Sequence, residues 1–223
     1  TLSFNRPELR NAFNDILIRE ITDVLNVLKK NGNLRVLLLK GEGKSFCAGA
    51  DLNWMKRMKE YSVEKNYEDA SKISLCFAEL FNFPIPTICR VHGAAIGGGV
   101  GFVAASDIAV SEIDTTFSLS EVKIGLVPSC ISPYILKRIP EVKAKRLIMT
   151  GERFDATKAL QYGLVDYAET AGNLDNKIEA IVELLLSSGP EAIKIAKTLI
   201  KNVMSMKEPE YMKYTSEVIA NIR

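Results

Sequence analysis

The chain has 223 residues, which at ~150 residues per domain gives about 1.5 domains and enough length to bury a core without disulfide staples. Lys and Arg number 29 against 27 Asp and Glu, so the net charge of +2 argues against a general nucleic-acid or membrane-surface binder while allowing a local basic patch. A single histidine excludes a multi-histidine metal site and leaves only His92 for any Ser-His-Asp or Cys-His device.

The four cysteines, Cys47, Cys76, Cys89 and Cys130, show no C-x-x-C spacing, so free thiols in a reducing compartment are expected, cytoplasmic or in an organelle matrix. No apolar run approaches the ~20 residues of a membrane span, and no charged, then apolar, then small-residue leader opens the chain. It starts at Thr1 in what reads as the end of a strand, and natural ends beyond both termini are expected.

Thr1 to Phe4 reads as that strand end, and Asn5-Arg6-Pro7 breaks it. Leu17, Ile21, Val24, Leu25 and Leu28 then recur at helical spacing and predict one buried helix face. Leu34 to Leu39 is a short, nearly unbroken apolar run between Gly32 and Gly41, the pattern of a strand buried on both faces. The loop GEGKSFCAGADL follows. Ala70, Ile73, Phe77, Leu80 and Phe81 predict a second amphipathic helix, closed by Pro84 and Pro86. Thr87 to Val91 is a strand, then a glycine cluster, a short apolar helix to about Ala105, and a strand at Ile108 to Val110. Alternating strands and helices imply right-handed crossovers and an α/β layered fold. Beyond Pro128 the pattern reads as helices only, and Ile193, Ala196, Ile200 and Val203 form one stripe with Lys194, Lys197 and Lys201 on another face. The lysines suit a solvated helix face, or a surface meeting phosphates.

Two glycine motifs suggest phosphate binding. Gly41-Glu42-Gly43-Lys44-Ser45 ends in GKS, but position 38 is Leu where a P-loop needs its first glycine. Gly99-Val100-Gly101-Phe102-Val103-Ala104 matches G-x-G-x-x-A with Glu121 about 20 residues on. Its next strand, near Asp107 to Ser111, arrives too soon and leaves Glu121 far past the ribose-binding place. A different reading pairs Gly97-Gly98-Gly99 with Phe46-Cys47-Ala48-Gly49-Ala50-Asp51-Leu52. Each is a turn of small residues at the C-terminal end of an expected strand, where open α/β sheets place ligands. Two such turns could each supply a backbone N–H to one carbonyl oxygen, as an oxyanion hole does.

In order along nearly the whole chain, Asn5-Arg6-Pro7 with Asn11-Ala12-Phe13, FCAGADL, VHGAAIGGGVGF, SDIAV, FSLSEVKIGLVP and LIMTGERFDATKALQYGLVD resemble the enoyl-CoA hydratase/isomerase (crotonase) superfamily. The resemblance implies an α/β, crotonase (ClpP-like) fold of repeated ββα units with a helical C-terminal extension. It divides the chain into a core over 1–165 and a helical trimerisation region over 166–223. It also implies acyl-CoA chemistry through an enolate and assembly as a homotrimer or dimer of trimers. Coenzyme A would enter as part of the substrate, and no other cofactor, metal, nucleic acid or membrane is expected.

Carried onto this sequence, the resemblance places the two oxyanion amides on Ala50 and Gly98, with Gly97 in the same turn. Ala48, Asp51 and Leu52 fall on a loop whose backbone meets CoA, and Leu9 and Arg10 on a further CoA-contacting segment. Family hydratases usually carry two acid/base glutamates. The second corresponds to Glu121, after Ser120, while the first position holds Gly101. Gly101 is therefore expected to leave room for a bulkier or branched acyl chain, and the amide of Ser129 to help hold the reacting water. Cys47 and Cys130 are expected to be packed side chains, and His92 a strand residue.

The resemblance favours an acyl-CoA hydratase, whereas the single carboxylate taken alone leans towards a Δ3,Δ2-enoyl-CoA isomerase, because a 1,3 proton shift needs one base. A non-catalytic acyl-CoA-binding module is the third reading. The segment SLSEVKIGLVP-x-x-ISPY, with Gly101 and IMTGERFDATKA, resembles the bacterial methylglutaconyl-CoA hydratase branch of leucine breakdown. That resemblance suggests 3-methylglutaconyl-CoA as substrate.

Overall fold

A computed structural model describes residues 1–222. Five short strands, β1 (Leu2–Phe4), β2 (Leu37–Gly41), β3 (Thr87–Val91), β5 (Ile108–Glu112) and β8 (Tyr167–Glu169), form one fully parallel sheet in the order β1-β2-β3-β5-β8. A smaller sheet joins β4 (Ala94–Ile96), β6 (Thr116–Ser118) and β7 (Arg153–Asp155), with β6 parallel to β4 and antiparallel to β7.

The helices follow from local signals. α1 (Asp15–Leu28) starts where the Asn14 side chain accepts the Leu17 N–H at 3.0 Å, and it buries Leu17, Ile18, Ile21 and Leu25. Val24, assigned by its spacing to the buried face, lies at the edge of the stripe and is exposed, while Ile18 takes an inner place. α2 (Leu52–Met58) precedes α3 (Val63–Phe81), which buries Cys76, Phe77 and Leu80, and α4 (Gly98–Ala105) is buried along its whole length. The parallel sheet separates two cores, as alternate residues of β3 show. Cys89 and Val91 join the main core with α1, α3 and α4, whereas Ile88 packs with Val110, Leu174, Ile178 and Ile181 beneath α8 (Leu174–Leu186). The strand expected from Leu34 starts at Leu37, whose N–H meets the Pro86 carbonyl at 2.9 Å.

The helices-only reading beyond Pro128 is corrected by β7 and β8. Both are three residues long, too short to display a period of two. They alternate with α5 (Ser132–Arg138), α6 (Glu141–Thr150) and α7 (Ala156–Tyr162). A division after residue 165 falls just before β8, which completes the parallel sheet, and α8 covers one of its faces. Among the described residues, α9 (Pro190–Val203) and α10 (Glu210–Ile222) are the α-helices that bury no residue.

The lysine stripe of α9 has a structural use. The Lys197 ammonium donates to Asp107 at 2.6 Å and to the Ile85 carbonyl at 3.1 Å, and Lys201 donates to Asn82 at 2.6 Å. Asp107 also accepts from the Thr87 amide and hydroxyl at 2.7 and 2.9 Å, so α9 is pinned where β5 begins. Burial lowers the Lys197 pKa despite the opposing attraction of Asp107. Neither lysine is thus a free phosphate receptor. Lys197→Met should cost about 1–2 kcal/mol, less than a fully buried pair because both side chains keep some water, measured as a lower urea midpoint.

Candidate active site

The N-terminal segment builds one wall of the site. Arg10 and Asn11 adopt left-handed backbone angles, with φ of 50° and 56°. Asn11 tolerates that conformation and uses it, because its amide nitrogen donates to the carbonyls of Glu42 at 2.8 Å and Ser45 at 2.7 Å. These bonds fold the GKS loop against the N-terminal segment. Arg10 accepts the Ala48 N–H at 3.0 Å through its carbonyl, while Leu9 and the Arg10 side chain stay exposed beside this loop.

Phe13 joins the two turns. Its N–H donates to the Gly49 carbonyl at 2.9 Å and its carbonyl accepts from Asp51 at 2.8 Å, so its backbone brackets Ala50. Its ring lies against Gly98, where a Cβ would stand 2.5 Å from Phe13 Cε1. The turns also touch each other directly, since the Ile96 N–H donates to the Cys47 carbonyl at 3.0 Å and a Cβ at Gly99 would meet that same oxygen at 2.4 Å. Among the described residues, the N–H groups of Ala50 and Gly98 make no hydrogen bond. Gly98 opens α4, so its N–H is one of the first-turn donors a helix cannot satisfy itself.

Glu121 lies in the turn Ser120–Ile124, which follows β6, with its side chain against Gly97, the residue before Gly98. The Gly97 N–H donates to the Ser118 carbonyl at 2.8 Å and ties the turns to that strand end. Gly97 has a φ of 52°, which favours glycine, and a Cβ at position 97 would lie 2.9 Å from Glu121 Oε1 and push that carboxylate aside. Glu121 Oε2 is buried and has no partner among the described residues. Burial raises the Glu121 pKa, an effect only partly opposed by its own backbone N–H.

Asp51 belongs to the same loop, but its carboxylate is committed. It accepts the N–H groups of Asn53 at 2.8 Å and Trp54 at 3.4 Å as the cap of α2, and it pairs with Arg6 at 2.9 Å. Burial raises its pKa, yet Arg6 and the two amides outweigh that and hold it below the usual carboxylate range. Leu52, the first residue of α2, is exposed.

Two expectations are corrected. Gly101 opens no space, because a Cβ there would lie 2.3 Å from Ile131 Cγ2 and 3.0 Å from Phe77 Cε1. The volume beside it is core, and Gly101 serves close packing of α4. The Ser129 N–H already donates to the Val127 carbonyl at 2.8 Å, so it is not a ready donor to water. Gly101→Glu should therefore cost about 1–3 kcal/mol by overpacking, with the burial of a carboxylate added, and thermal unfolding would register it as a lower Tm.

The remaining candidates take no part in this geometry. Burial pushes the Cys47 and Cys76 thiols up to about 12 and the Cys89 thiol upward too, so they stay protonated and poor nucleophiles. His92 lies just past the end of β3 rather than within a strand, and its Nε2 meets the Gly43 carbonyl at 2.9 Å. Arg6, Asn11, Phe13 and Trp54 carry the architecture without having been assigned roles by the sequence. The left-handed Asn11 is the one local signal, being among the few residue types that accept such angles.

Glycine-rich turns with free amides, a half-buried carboxylate against one of them and a parallel sheet behind make a candidate enzyme active site. The chain matches the model of the Enoyl-CoA hydratase/isomerase family over residues 1–222 and belongs to that family. It is 32% identical over 209 residues to an enoyl-CoA isomerase/hydratase of Mycosarcoma maydis, covering 89% of this chain and 75% of that one. It is 30% identical over 205 residues to a trans-2-decenoyl-[acyl-carrier-protein] isomerase of Streptococcus mutans, covering 90% and 77%. Among solved structures, an enoyl-CoA hydratase from Shewanella pealeana superposes with a TM-score of 0.95 at 38% identity, covering 99% of this chain and 83% of the other. The fold is thus the crotonase fold, and the protein is an enzyme of the hydratase/isomerase kind.

Proposed function

We propose that this enzyme adds water across the 2,3 double bond of an enoyl-CoA thioester, with Glu121 as acid/base and the N–H groups of Ala50 and Gly98 receiving the thioester oxygen. The observation that carries the reading is Glu121, a carboxylate set against Gly97 beside two turns with uncommitted amides. Its carboxylate takes a proton from water as the water oxygen bonds to C3. The C2=C3 π electrons move towards the thioester, whose oxygen gains negative charge and is stabilised by the two fixed N–H dipoles. Protonated Glu121 then gives its proton to C2, which restores the carboxylate. Coenzyme A enters and leaves as part of the substrate, and no further cofactor has a part in this scheme. Leu9, Arg10, Ala48, Asp51 and Leu52 form the stretch proposed to meet the CoA moiety.

For the acyl group, 3-methylglutaconyl is the choice, supported by sequence resemblance. The filled space at Gly101 removes the further argument that a branched chain would fit there. A second reading is favoured by the lone carboxylate. As a Δ3,Δ2-enoyl-CoA isomerase the same Glu121 would take a C2 proton and return it at C4. Incubation with a panel of 2- and 3-enoyl-CoAs separates the two by product mass. Addition of 18 supports hydration, and unchanged mass with a moved double bond supports isomerisation.

Assembly as a homotrimer or dimer of trimers accompanies this proposal. Ile124, Leu126 and Val127 are exposed immediately after Glu121, and α9 and α10 bury none of their own apolar residues within the chain. Light scattering on the purified protein should give three or six times the chain mass. A cytoplasmic or matrix setting is proposed with it. Among the described residues, no helix is long and apolar enough to cross a membrane.

A further inference from the structure

Besides Glu121, one further orphaned polar group lies next to the paired turns. Trp54, the chain's single tryptophan, is 2% exposed, and its indole Nε1 has no hydrogen-bond partner among the described residues. Buried indole N–H groups ordinarily find an acceptor, and an orphan of this kind marks a place where something else supplies one.

Its position in the fold narrows what that acceptor is. Trp54 sits in the first turn of α2, four residues after Ala50, and its own backbone N–H is held by the Asp51 carboxylate that also pairs with Arg6. Its ring meets Phe13 edge-on, with centroids 6.0 Å apart, and that Phe13 ring also packs on Phe102 and lies against Gly98. The Phe13 ring thus neighbours both the indole and the turn that carries one proposed oxyanion amide. Glu121 lies against Gly97, and Trp54 packs on the same Phe13 ring that touches Gly98.

Resting on the reading of these turns as the thioester site, we propose that Trp54 is a specificity-determining residue whose indole N–H donates to an oxygen on the acyl chain. The enzyme then prefers enoyl-CoAs bearing a carboxylate, keto or hydroxyl oxygen over plain aliphatic ones. A donor of this kind discriminates strongly, since a substrate without the oxygen leaves the buried N–H unpaired.

Trp54→Phe keeps an aromatic ring against Phe13 while removing the donor and part of the buried ring volume. With glutaconyl-CoA and crotonyl-CoA as probes, the expected result is a fall of about tenfold or more in kcat/KM for the carboxylated substrate and less than about threefold for the plain one. Equal losses on both would assign Trp54 to packing or to the CoA moiety, and no loss on either would leave the N–H to solvent. Both results overturn the proposal. A second measurement is independent of turnover. In protein labelled with 15N at the indole, the one tryptophan side-chain N–H signal should move on adding a carboxylated acyl-CoA and stay in place with butyryl-CoA. Movement with both overturns the assignment. If neither probe gains water while the signal responds selectively, the hydration reading fails and the binding role of Trp54 stands.

Discussion

Glu121→Gln should lower kcat by about 10²–10⁴-fold on the best enoyl-CoA substrate, because the amide keeps the shape of the side chain but can neither take nor return a proton. No histidine stands by to replace it, since His92 is engaged with the Gly43 carbonyl. The variant should still bind acyl-CoA, so the loss belongs in kcat rather than KM. Turnover within a few-fold of the parent would remove Glu121 from the mechanism. The pH profile supplies a second readout. Only the ionised carboxylate can accept the first proton, and burial raises its pKa, so the acid limb of kcat/KM should lie above the ordinary carboxylate range. Stability moves in the opposite sense. A carboxyl group whose folded pKa exceeds its unfolded one contributes stability that is fully present below the unfolded value and is lost as pH rises through the folded value. Glu121→Gln lacks that term, so the variant should gain on the parent in unfolding free energy between acidic and neutral pH.

Gly98→Pro should cost about 10²–10³-fold in kcat by deleting one proposed oxyanion donor. The fold gives this test a clean form. Gly98 is the first residue of α4, a position where proline is tolerated, and Gly97 before it is not helical. The Phe13 ring crowds any side chain at position 98, so Gly98→Ala is the control, keeping the N–H while meeting the same ring. The ratio of kcat between the Ala and Pro variants reports the donor, and their shared loss reports the collision. A ratio near one would show that the Gly98 amide does not hold the oxyanion.

Sequence legibility differed between parts of the chain for physical reasons. α1, β3 and α4 were readable because buried apolar residues recur with a period or fill a run, and the small-residue turns were readable because glycine and alanine cluster there. β7 and β8 escaped because three residues show no period, and each is recruited by pairing to a strand far away in sequence. Gly101 misled because an absent side chain looks the same in a sequence whether it leaves space or admits a neighbour. Ile131 and Phe77 decide which, and they approach only in the folded chain. The Lys197 anchor was hidden for the same reason, since Asp107 lies 90 residues away.

The proposed oxygen-binding donors in this protein belong to the main chain, and that has an evolutionary consequence. A donor fixed by backbone angles and by glycines that admit Phe13, Cys47 and Glu121 against them survives any side-chain replacement that spares those contacts. The group proposed to move protons, by contrast, is one side chain on a short turn, which a single codon change can alter. An enzyme built this way can keep its means of stabilising an enolate while exchanging the residue that decides where the proton goes. Divergence between adding water and shifting a double bond then requires changes in side chains alone, with the costly backbone arrangement inherited intact.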